Sequence, residues 1–196
     1  MELYVNGSKL DIQLENEKTV GEVLASFEKQ CGENGIATVS IILNGKNIGA
    51  EDFDAASKLT LDENTKIELG VVNKLAVKES FAQKKEEAKK ISEDLKSISS
   101  KFQTGKDNEA NAIITSLADF VDSICHTASL SMLFPEDFGS IRIEEKTFTE
   151  FFADFSQILH DFEKAIESKD TVLIGDLSEY EIAPRLEQLA QALEVC

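Results

Sequence analysis

The side chains best suited to chemistry in this chain are its two histidines and three cysteines. Asp122 and His126 are spaced i, i+4 on a predicted helix, with Cys125 beside them, so a carboxylate and an imidazole share one helical face. Such a pair can begin a metal site. Zinc and di-iron centres need further ligands, however, and these are not evident: the sequence has neither a Cys-x-x-Cys nor a Glu-x-x-His spacing. We therefore expect no metal and no cofactor, and we interpret His160 as part of a solvated helix face.

A nucleophilic enzyme needs a serine or cysteine that is activated by a positioned base. The sequence has no Gly-x-Ser-x-Gly motif, and Cys125 lies among apolar neighbours instead of in an electropositive setting. Gly45-Lys46 belongs to a predicted hairpin turn, so it does not form a phosphate-binding loop between a strand and a helix. Because each motif class that carries catalysis is missing, the sequence predicts a protein that is not an enzyme.

The acidity of the chain indicates which partners it can attract. The formal charge is −17, and residues 1–73 carry 13 acidic and 6 basic side chains, so the acidity extends over both halves. Nucleic acids and anionic membranes attract basic surfaces, so we expect neither as a partner and favour a basic protein. Near the C-terminal end, Glu179 and Glu181 flank Tyr180. This cluster is interpreted either as an acidic docking patch or as a plain solvated helix face.

The beginning of the chain and its cysteines indicate a compartment. Met1-Glu2-Leu3 enters a strand pattern at once, without the basic and apolar regions of a secretory signal. No apolar run approaches the roughly 18 residues of a membrane span. Three cysteines far apart do not predict a disulfide framework. We therefore expect a cytoplasmic protein.

Hydrophobic periodicity divides the chain near residue 72. Before this point four short runs alternate apolar and polar residues, which predicts β-strands with hairpin turns at Asn6-Gly7 and Asn44-Gly45. Between the second and third runs, Thr19 and Glu22 have the spacing of a capping box, and Gly32 is expected to end the helix that follows. The order is β-β-α-β, a short connection, then β. The residues expected to face this core are Met1, Leu3, Val5, Leu10, Ile12, Leu14, Val20, Val23, Leu24, Phe27, Cys31, Val39, Ile41, Leu43, Ile67, Leu69 and Val71.

Residues 1–72 resemble ubiquitin. The match rests on the hairpin at Met1, the helix that opens at Thr19, the segment Ile41-Ile42-Leu43-Asn44-Gly45-Lys46 and the closing Lys66-Ile67-Glu68-Leu69. Small bacterial ubiquitin-like proteins, including those associated with one class of secretion system, share this layout. The resemblance implies a β-grasp fold and says little about function, because that fold serves many unrelated roles.

Two departures from ubiquitin limit what the resemblance implies. Ubiquitin is conjugated through a free Gly-Gly tail, whereas Gly70-Val71-Val72 continues into a helix, so conjugation through this end is excluded. Ile42 falls at the centre of ubiquitin's apolar binding patch, but the flanking positions do not match. If Leu3, Ile41 and Leu69 face the core, then Tyr4, Ile42 and Val72 face the other side of the sheet. That face is expected to be ordinary surface, a contact with the helical region, or a partner-binding surface.

Residues 73–196 carry the periodicity of helices and predict a second domain, an antiparallel four-helix bundle. The first helix is expected over 74–104, where the apolar rows have heptad spacing and Lys84 replaces one apolar member. Asp107 or Asn108 is expected to cap the second helix, and Pro135 to end it. An irregular loop should then span 136–146. The two rows of the first helix are Phe81, Ala88, Leu95 and Phe102, and Val77, Ile91 and Ile98. The second helix has its stripe at Ile113, Leu117, Phe120, Ile124 and Ala128, which Ile114 and Val121 widen.

The third helix is expected to begin with a capping box at Thr147 and Glu150. It carries five of the 12 phenylalanines, so we expect it at the centre of the bundle; a ligand pocket lined by its rings is the alternative. The last helix should open near Asp170 and kink or break near Ile182, because Pro184 removes a backbone donor. The apolar face of the third helix is Phe148, Phe151, Phe152, Phe155, Ile158, Leu159, Phe162 and Ile166.

The α+β architecture predicts a recognition protein. The predicted domains, 1–72 and 73–196, are joined near Asn73 without a Pro, Gly or Ser linker, so we expect them to move as one unit. The leading hypothesis is an adaptor that binds a basic protein or an apolar protein segment. The alternative is a secretion or flagellar export chaperone, which should expose a groove for a hydrophobic helix. A third hypothesis is a small-molecule binder. The oligomeric state is not predicted.

Overall fold

The computed structural model describes residues 1–11, 14 and 16–195 of the chain. It divides into two compact units, Met1–Ala76 and Val77–Cys196. The architecture is α+β, with a five-stranded sheet in the first unit and helices throughout the second. Among the described residues, none of the helices is both long enough and apolar enough to cross a lipid bilayer.

The first unit is built on a mixed sheet with the strand order β2-β1-β5-β3-β4. The central strands β1 and β5 are parallel, and the other neighbouring pairs are antiparallel. Two helices accompany the sheet, and the second of them lies in the stretch where the sequence predicted only a connection. The elements are β1 (Glu2–Val5), β2 (Ser8–Leu10), α1 (Val20–Glu33), β3 (Ile36–Leu43), β4 (Lys46–Asn47), α2 (Ala50–Ser57) and β5 (Lys66–Asn73).

One face of this sheet packs against α1 and α2 to form the core of the first unit. The predicted capping box is present: the Thr19 hydroxyl accepts from the Glu22 amide at 3.3 Å, and Glu22 accepts from the Thr19 amide at 3.1 Å. The prediction that Gly32 ends α1 is wrong. The helix continues to Glu33, and the left-handed residue is Gly35 at φ 65°. The buried core members are Leu3, Val20, Val23, Leu24, Leu43, Ala56, Ile67 and Leu69.

Three residues predicted to face this core are exposed instead. Val39 lies at a bulge in β3, where the register with β5 shifts between Thr38 and Ser40, and its side chain is 48% exposed. A bulge adds a residue to one strand and so breaks the alternation on which the prediction depended. Leu10 and Leu14 are also exposed: Leu10 is paired with Leu3 but lies at the end of the edge strand β2, and Leu14 lies beyond that strand. Ile12 lies outside the described residues.

The second unit consists of helices joined by short turns and by one longer loop over residues 139–147. The helix predicted over 74–104 is interrupted at Lys96 and Ser97. There the Ser97 hydroxyl donates to the Asp94 carbonyl at 2.7 Å, a local bond that competes with the helical ladder. The helices are α3 (Lys74–Leu95), α4 (Ile98–Gln103), α5 (Asp107–Ser131), α6 (Pro135–Phe138), α7 (Phe148–Glu167), α8 (Thr171–Asp176), a π-helix (Leu177–Ile182), α9 (Ala183–Ala192) and a 3₁₀ turn (Leu193–Val195).

Pro184 explains the widened turn near the C-terminal end. A proline cannot donate the hydrogen bond that would continue an α-helix, and an i→i+5 turn is one way to accommodate it. The π-helix ends at Ile182, where the sequence predicted a kink or break, and the Ala183 amide bonds to the Ser178 carbonyl. Asp170 begins this last segment, because its carboxylate accepts from the Leu173 amide at 3.0 Å.

Phenylalanine rings fill the interior of the second unit. Phe81 is fully buried in α3, its ring is stacked on that of Phe148 with centroids 5.6 Å apart, and it meets Phe138 edge-on at 5.6 Å. Lys84, which replaces one apolar residue of the row, is half-buried. Its ammonium group lies 5.9 Å from the centre of the Phe120 ring and bonds to Glu87 at 2.6 Å. The rings therefore connect α3, α6 and α7.

The predicted capping box of α7 makes part of the stability of this helix dependent on pH. Bonds from the Thr147 amide at 2.9 Å and the Thr147 hydroxyl at 2.8 Å hold the pKa of Glu150 below its ordinary value. A carboxyl whose pKa is depressed by folding adds stability above its ordinary pKa, and this stability disappears as the pH falls through the depressed value. Glu150→Ala should therefore unfold at a lower urea concentration than the wild type near neutral pH.

The difference in the urea concentration at which Glu150→Ala and the wild type unfold should disappear in acid, once the carboxyl of the wild type is protonated. Urea unfolding followed by circular dichroism at several pH values measures this difference. A gap that stays constant from neutral pH down to strong acid would contradict the role given to the carboxylate.

Candidate partner-binding surfaces

The sheet places Tyr4, Ile42 and Val72 on its distal face, the one opposite α1, because their neighbours Leu3, Leu43 and Val71 belong to the core. Tyr4 and Ile42 lie on either side of Glu68 of β5, since both are paired with it in register, and β5 therefore separates them. Val72 lies four residues beyond Glu68 on β5, about 13 Å from it at the usual strand rise. The structure therefore places all three residues on one face of the sheet, but on three different strands and not in one cluster.

Charged side chains surround Tyr4 on the distal face. Its hydroxyl donates to Glu2 at 3.1 Å, and the ammonium group of Lys66 lies 4.7 Å from the centre of its ring. Glu2 also pairs with Lys9 at 2.5 Å, and Lys66 pairs with Glu68 at 3.0 Å. Hydrogen bonds from Lys9 and Tyr4 hold the pKa of Glu2 below its ordinary value. This face carries a network of paired charges, with Ile42 beside it, in place of a continuous apolar patch.

The acidic pair Glu179 and Glu181 lies on the π-helix. Glu181 accepts a hydrogen bond from Arg185 at 2.8 Å, so its charge is partly compensated. Residues two apart on a helix do not face the same way, and Tyr180 between them is 66% exposed. The arrangement does not concentrate negative charge at one point, although Tyr180 offers an exposed ring.

A groove lies between α5 and α7 of the second unit. It encloses about 780 Å³. Its floor is apolar: Leu117 of α5 and Phe162 of α7 are buried there. The residues that line it are Ile114, Leu117, Ala118, Val121, Asp122, Cys125, Ser156, Leu159, His160, Phe162, Glu163, Ile166 and Glu167.

The rim of this groove is acidic. Asp122 of α5 and Glu163 and Glu167 of α7 supply carboxylates, and none of the described lining residues is lysine or arginine. The Nδ1 atom of His160 lies 3.6 Å from a carboxylate oxygen of Glu163. Desolvation, and then the charge of Asp122, raise the pKa of the Cys125 thiol. A thiol with a raised pKa is a poor nucleophile.

The hypothetical metal pair on α5 is not completed by other residues. His126 is exposed and does not line the groove, although Asp122 and Cys125 do. Within residues 1–11, 14 and 16–195, no three His, Cys, Asp or Glu side chains are grouped closely enough to hold a metal ion.

The groove was missed by sequence reasoning, although its residues carried a signal. Ile114 and Val121 were interpreted as widening the buried stripe of α5, and Leu159 and Ile166 as part of the buried face of α7. All four are only half-buried and line the groove. An apolar stripe wider than the core can cover is the signal that could have found it.

Comparison with known proteins matches both parts of the chain. Residues 1–73 match the family model described as the TP0873 N-terminal domain, and residues 79–192 match the domain of unknown function DUF8042. An uncharacterized protein of Treponema pallidum (strain Nichols) is 26% identical over 193 residues, which cover 98% of this chain and 96% of that protein. No solved structure matches the chain. The bacterial relative therefore extends over both compact units.

Proposed function

The chain belongs to the DUF8042 family, and we propose that it is a non-catalytic protein–protein interaction protein, an adaptor that binds partners through the groove between α5 and α7. The groove carries the proposal, because it exposes a contiguous apolar surface that water contacts unfavourably until a partner covers it. An apolar segment of another protein, or a basic protein surface, suits its apolar floor and acidic rim. Nucleic acids and anionic membranes do not suit this protein, because its net charge of −17 repels them.

The same proposal includes a finer description of the fold. We assign Met1–Ala76 to the ubiquitin-like β-grasp architecture, since its strand order has parallel β1 and β5 at the centre and α1 packed on one face. We assign the second unit to a four-helix bundle formed by α3 with α4, by α5, by α7, and by the segment from α8 to α9. Both architectures are used widely for recognition, which fits an adaptor.

The two cysteines that the structure describes support a role other than catalysis. Desolvation is the main cause that raises the pKa of both Cys31 and Cys125, so both thiols stay protonated near neutral pH. Both are free cysteines, which suits the reducing environment of a bacterial cytoplasm. We therefore propose a cytoplasmic protein that binds without reacting.

An export chaperone is the second candidate, and the groove favours it for a specific reason. A chaperone of this class must keep an apolar helix of its client soluble until export, and this requires an exposed apolar groove. The two candidates differ in the partner. A chaperone's client should aggregate when expressed alone and stay soluble when expressed with this protein, whereas an adaptor's partner should be soluble by itself.

Site-specific cross-linking tests the proposal. A photo-cross-linking amino acid replaces Ala118, which is exposed in the groove, and in a control protein it replaces Val172, which is 71% exposed on α8. In the native cell, position 118 should give adducts with a defined partner that position 172 does not give. Adding Val121→Glu should remove these adducts, because it places a charge on the apolar wall.

Adducts that are the same from both positions, or that persist with Val121→Glu, would contradict binding in the groove. Raising the salt concentration tests the electrostatic part separately, because exposed charge pairs are screened. A complex that is equally abundant at high salt would leave only the apolar contribution.

A further inference from the structure

We infer that the α5/α7 groove binds one amphipathic α-helix of about three turns whose apolar stripe is flanked by lysine or arginine. This inference rests on the proposed function and names the partner class for the same groove.

The dimensions of the groove set the length of the occupant. Its lining residues extend from Ile114 to Cys125 on α5 and from Ser156 to Glu167 on α7. At a rise of about 1.5 Å per residue, each wall is about 17 Å long. A helix of about 12 residues has the same length, and its apolar stripe presents residues at i, i+3, i+4 and i+7.

The walls of the groove favour a helix over an extended segment. Both walls are helices, whose backbone donors and acceptors are already bonded within α5 and α7. An extended peptide needs a strand edge to bond its own backbone groups, and those groups lose hydrogen bonds to water when they are buried unpaired. A helix satisfies its backbone internally and can bury side chains alone. The buried floor residues Leu117 and Phe162, with half-buried Val121, Leu159 and Ile166, supply the apolar contacts.

The rim selects the charge of the occupant. Asp122 lies on one wall and Glu163 and Glu167 on the other, so basic residues on either side of an apolar stripe would meet carboxylates. A second copy of this chain would bring the same carboxylates against these, and like charges in an interface are unfavourable. The charge distribution therefore favours a basic helix from another protein over self-association.

Binding of designed peptides to the full chain tests the inference. Three peptides of about 12 residues are used as fluorescent probes: an amphipathic helix with leucines at i, i+3, i+4 and i+7 and lysines on both flanks, the same helix with glutamates on the flanks, and a scrambled sequence of the lysine peptide that has no stripe. The lysine peptide should bind at least about fivefold more tightly than the glutamate peptide, and the scrambled peptide should bind more weakly than either. No measurable binding of the lysine peptide would overturn the inference.

Charge reversal on the rim gives the sharper test because it does not disturb the core. With Glu163→Lys and Glu167→Lys combined, the preference should invert in favour of the glutamate peptide. The matched control, Glu93→Lys with Glu136→Lys, changes the net charge equally at exposed positions outside the groove, and it should keep the lysine preference. An inverted preference in both double variants would show that net charge, and not this rim, selects the peptide.

Val121→Glu should weaken the binding of the lysine peptide at least about tenfold, because a carboxylate then enters the apolar wall. Val172→Glu on α8 is the matched control and should leave its affinity unchanged. Circular dichroism shows whether each variant is folded. Sedimentation of the wild type and Val121→Glu tests the competing occupant, since a dimer that Val121→Glu dissociates would assign the groove to a second copy.

The outcomes separate this inference from the proposed function. Cross-links from position 118 to an acidic or non-helical partner segment would overturn the basic helix and leave the interaction role standing. Specific cross-links that disappear with Val121→Glu would support the interaction role even if the designed peptides fail to bind.

Discussion

Phe81→Ala is expected to lower the free energy of unfolding of the second unit by about 3–5 kcal/mol. The Phe81 side chain is fully buried, and its ring contacts the rings of Phe138 and Phe148 at centroid distances of 5.6 Å each. Truncation removes the transfer free energy of the ring and leaves a cavity where α3, α6 and α7 meet, which the surrounding rings can fill only in part. The chain has no tryptophan, so urea unfolding is best followed by circular dichroism.

Tyr180→Ala is the matched control for this substitution. It also removes an aromatic ring from the second unit, but this ring is 66% exposed, so we expect a change within about 0.5 kcal/mol. If Phe81→Ala lowers the free energy of unfolding no more than Tyr180→Ala does, the phenylalanine cluster does not hold α3, α6 and α7 together.

Ile67→Ala should lower the free energy of unfolding of the first unit by about 2–5 kcal/mol. Ile67 is fully buried on β5, between Leu3 of β1 and Leu43 of β3 in the register of the sheet. A unit of this size has little stability in reserve, so the loss should be a large fraction of the total. Native-state hydrogen exchange with peptide resolution measures the two units separately.

Leu59→Ala is the control in the same unit, because its side chain is 52% exposed and its loss should change little. Equal exchange rates in both variants throughout residues 1–76 would contradict the placement of Ile67 in the core. The exchange of peptides from residues 77–195 provides the reference from the second unit in the same sample.

Local signals in the sequence predicted local structure well. The capping boxes at Thr19 and Thr147 were predictable because their hydrogen bonds join residues three apart. Some disturbance of the last helix near Pro184 was predictable because proline acts on its own helix, although it takes the form of a π-helix that continues into α9 and not of a break. The break at Ser97 was not predictable, because the heptad spacing of apolar residues continues through it. Helix α2 was also missed, because it buries only Ala56 and therefore has no periodic apolar stripe.

The candidate site depended on tertiary distances that periodicity does not contain. A stripe of apolar residues shows that Ile114 and Val121 avoid water, but whether they meet the core or a groove depends on how far α7 lies from α5. The surroundings of the distal face of the sheet also depended on tertiary structure. Its parity predicted the direction of Tyr4, whereas the charges around it come from Lys66 and Lys9 on neighbouring strands and become visible only with the register.

The parallel pairing of β1 with β5 has a consequence for synthesis on the ribosome. Residues 2–5 find their central partner only after residues 66–73 have emerged, and at about 5–20 residues per second this takes several seconds. Until then the β1–β2 hairpin is an isolated pair of strands, which is marginally stable in water. Its apolar Leu3 stays accessible to chaperones or to other nascent chains, so the first strand to be translated has to wait for the last strand of its own unit.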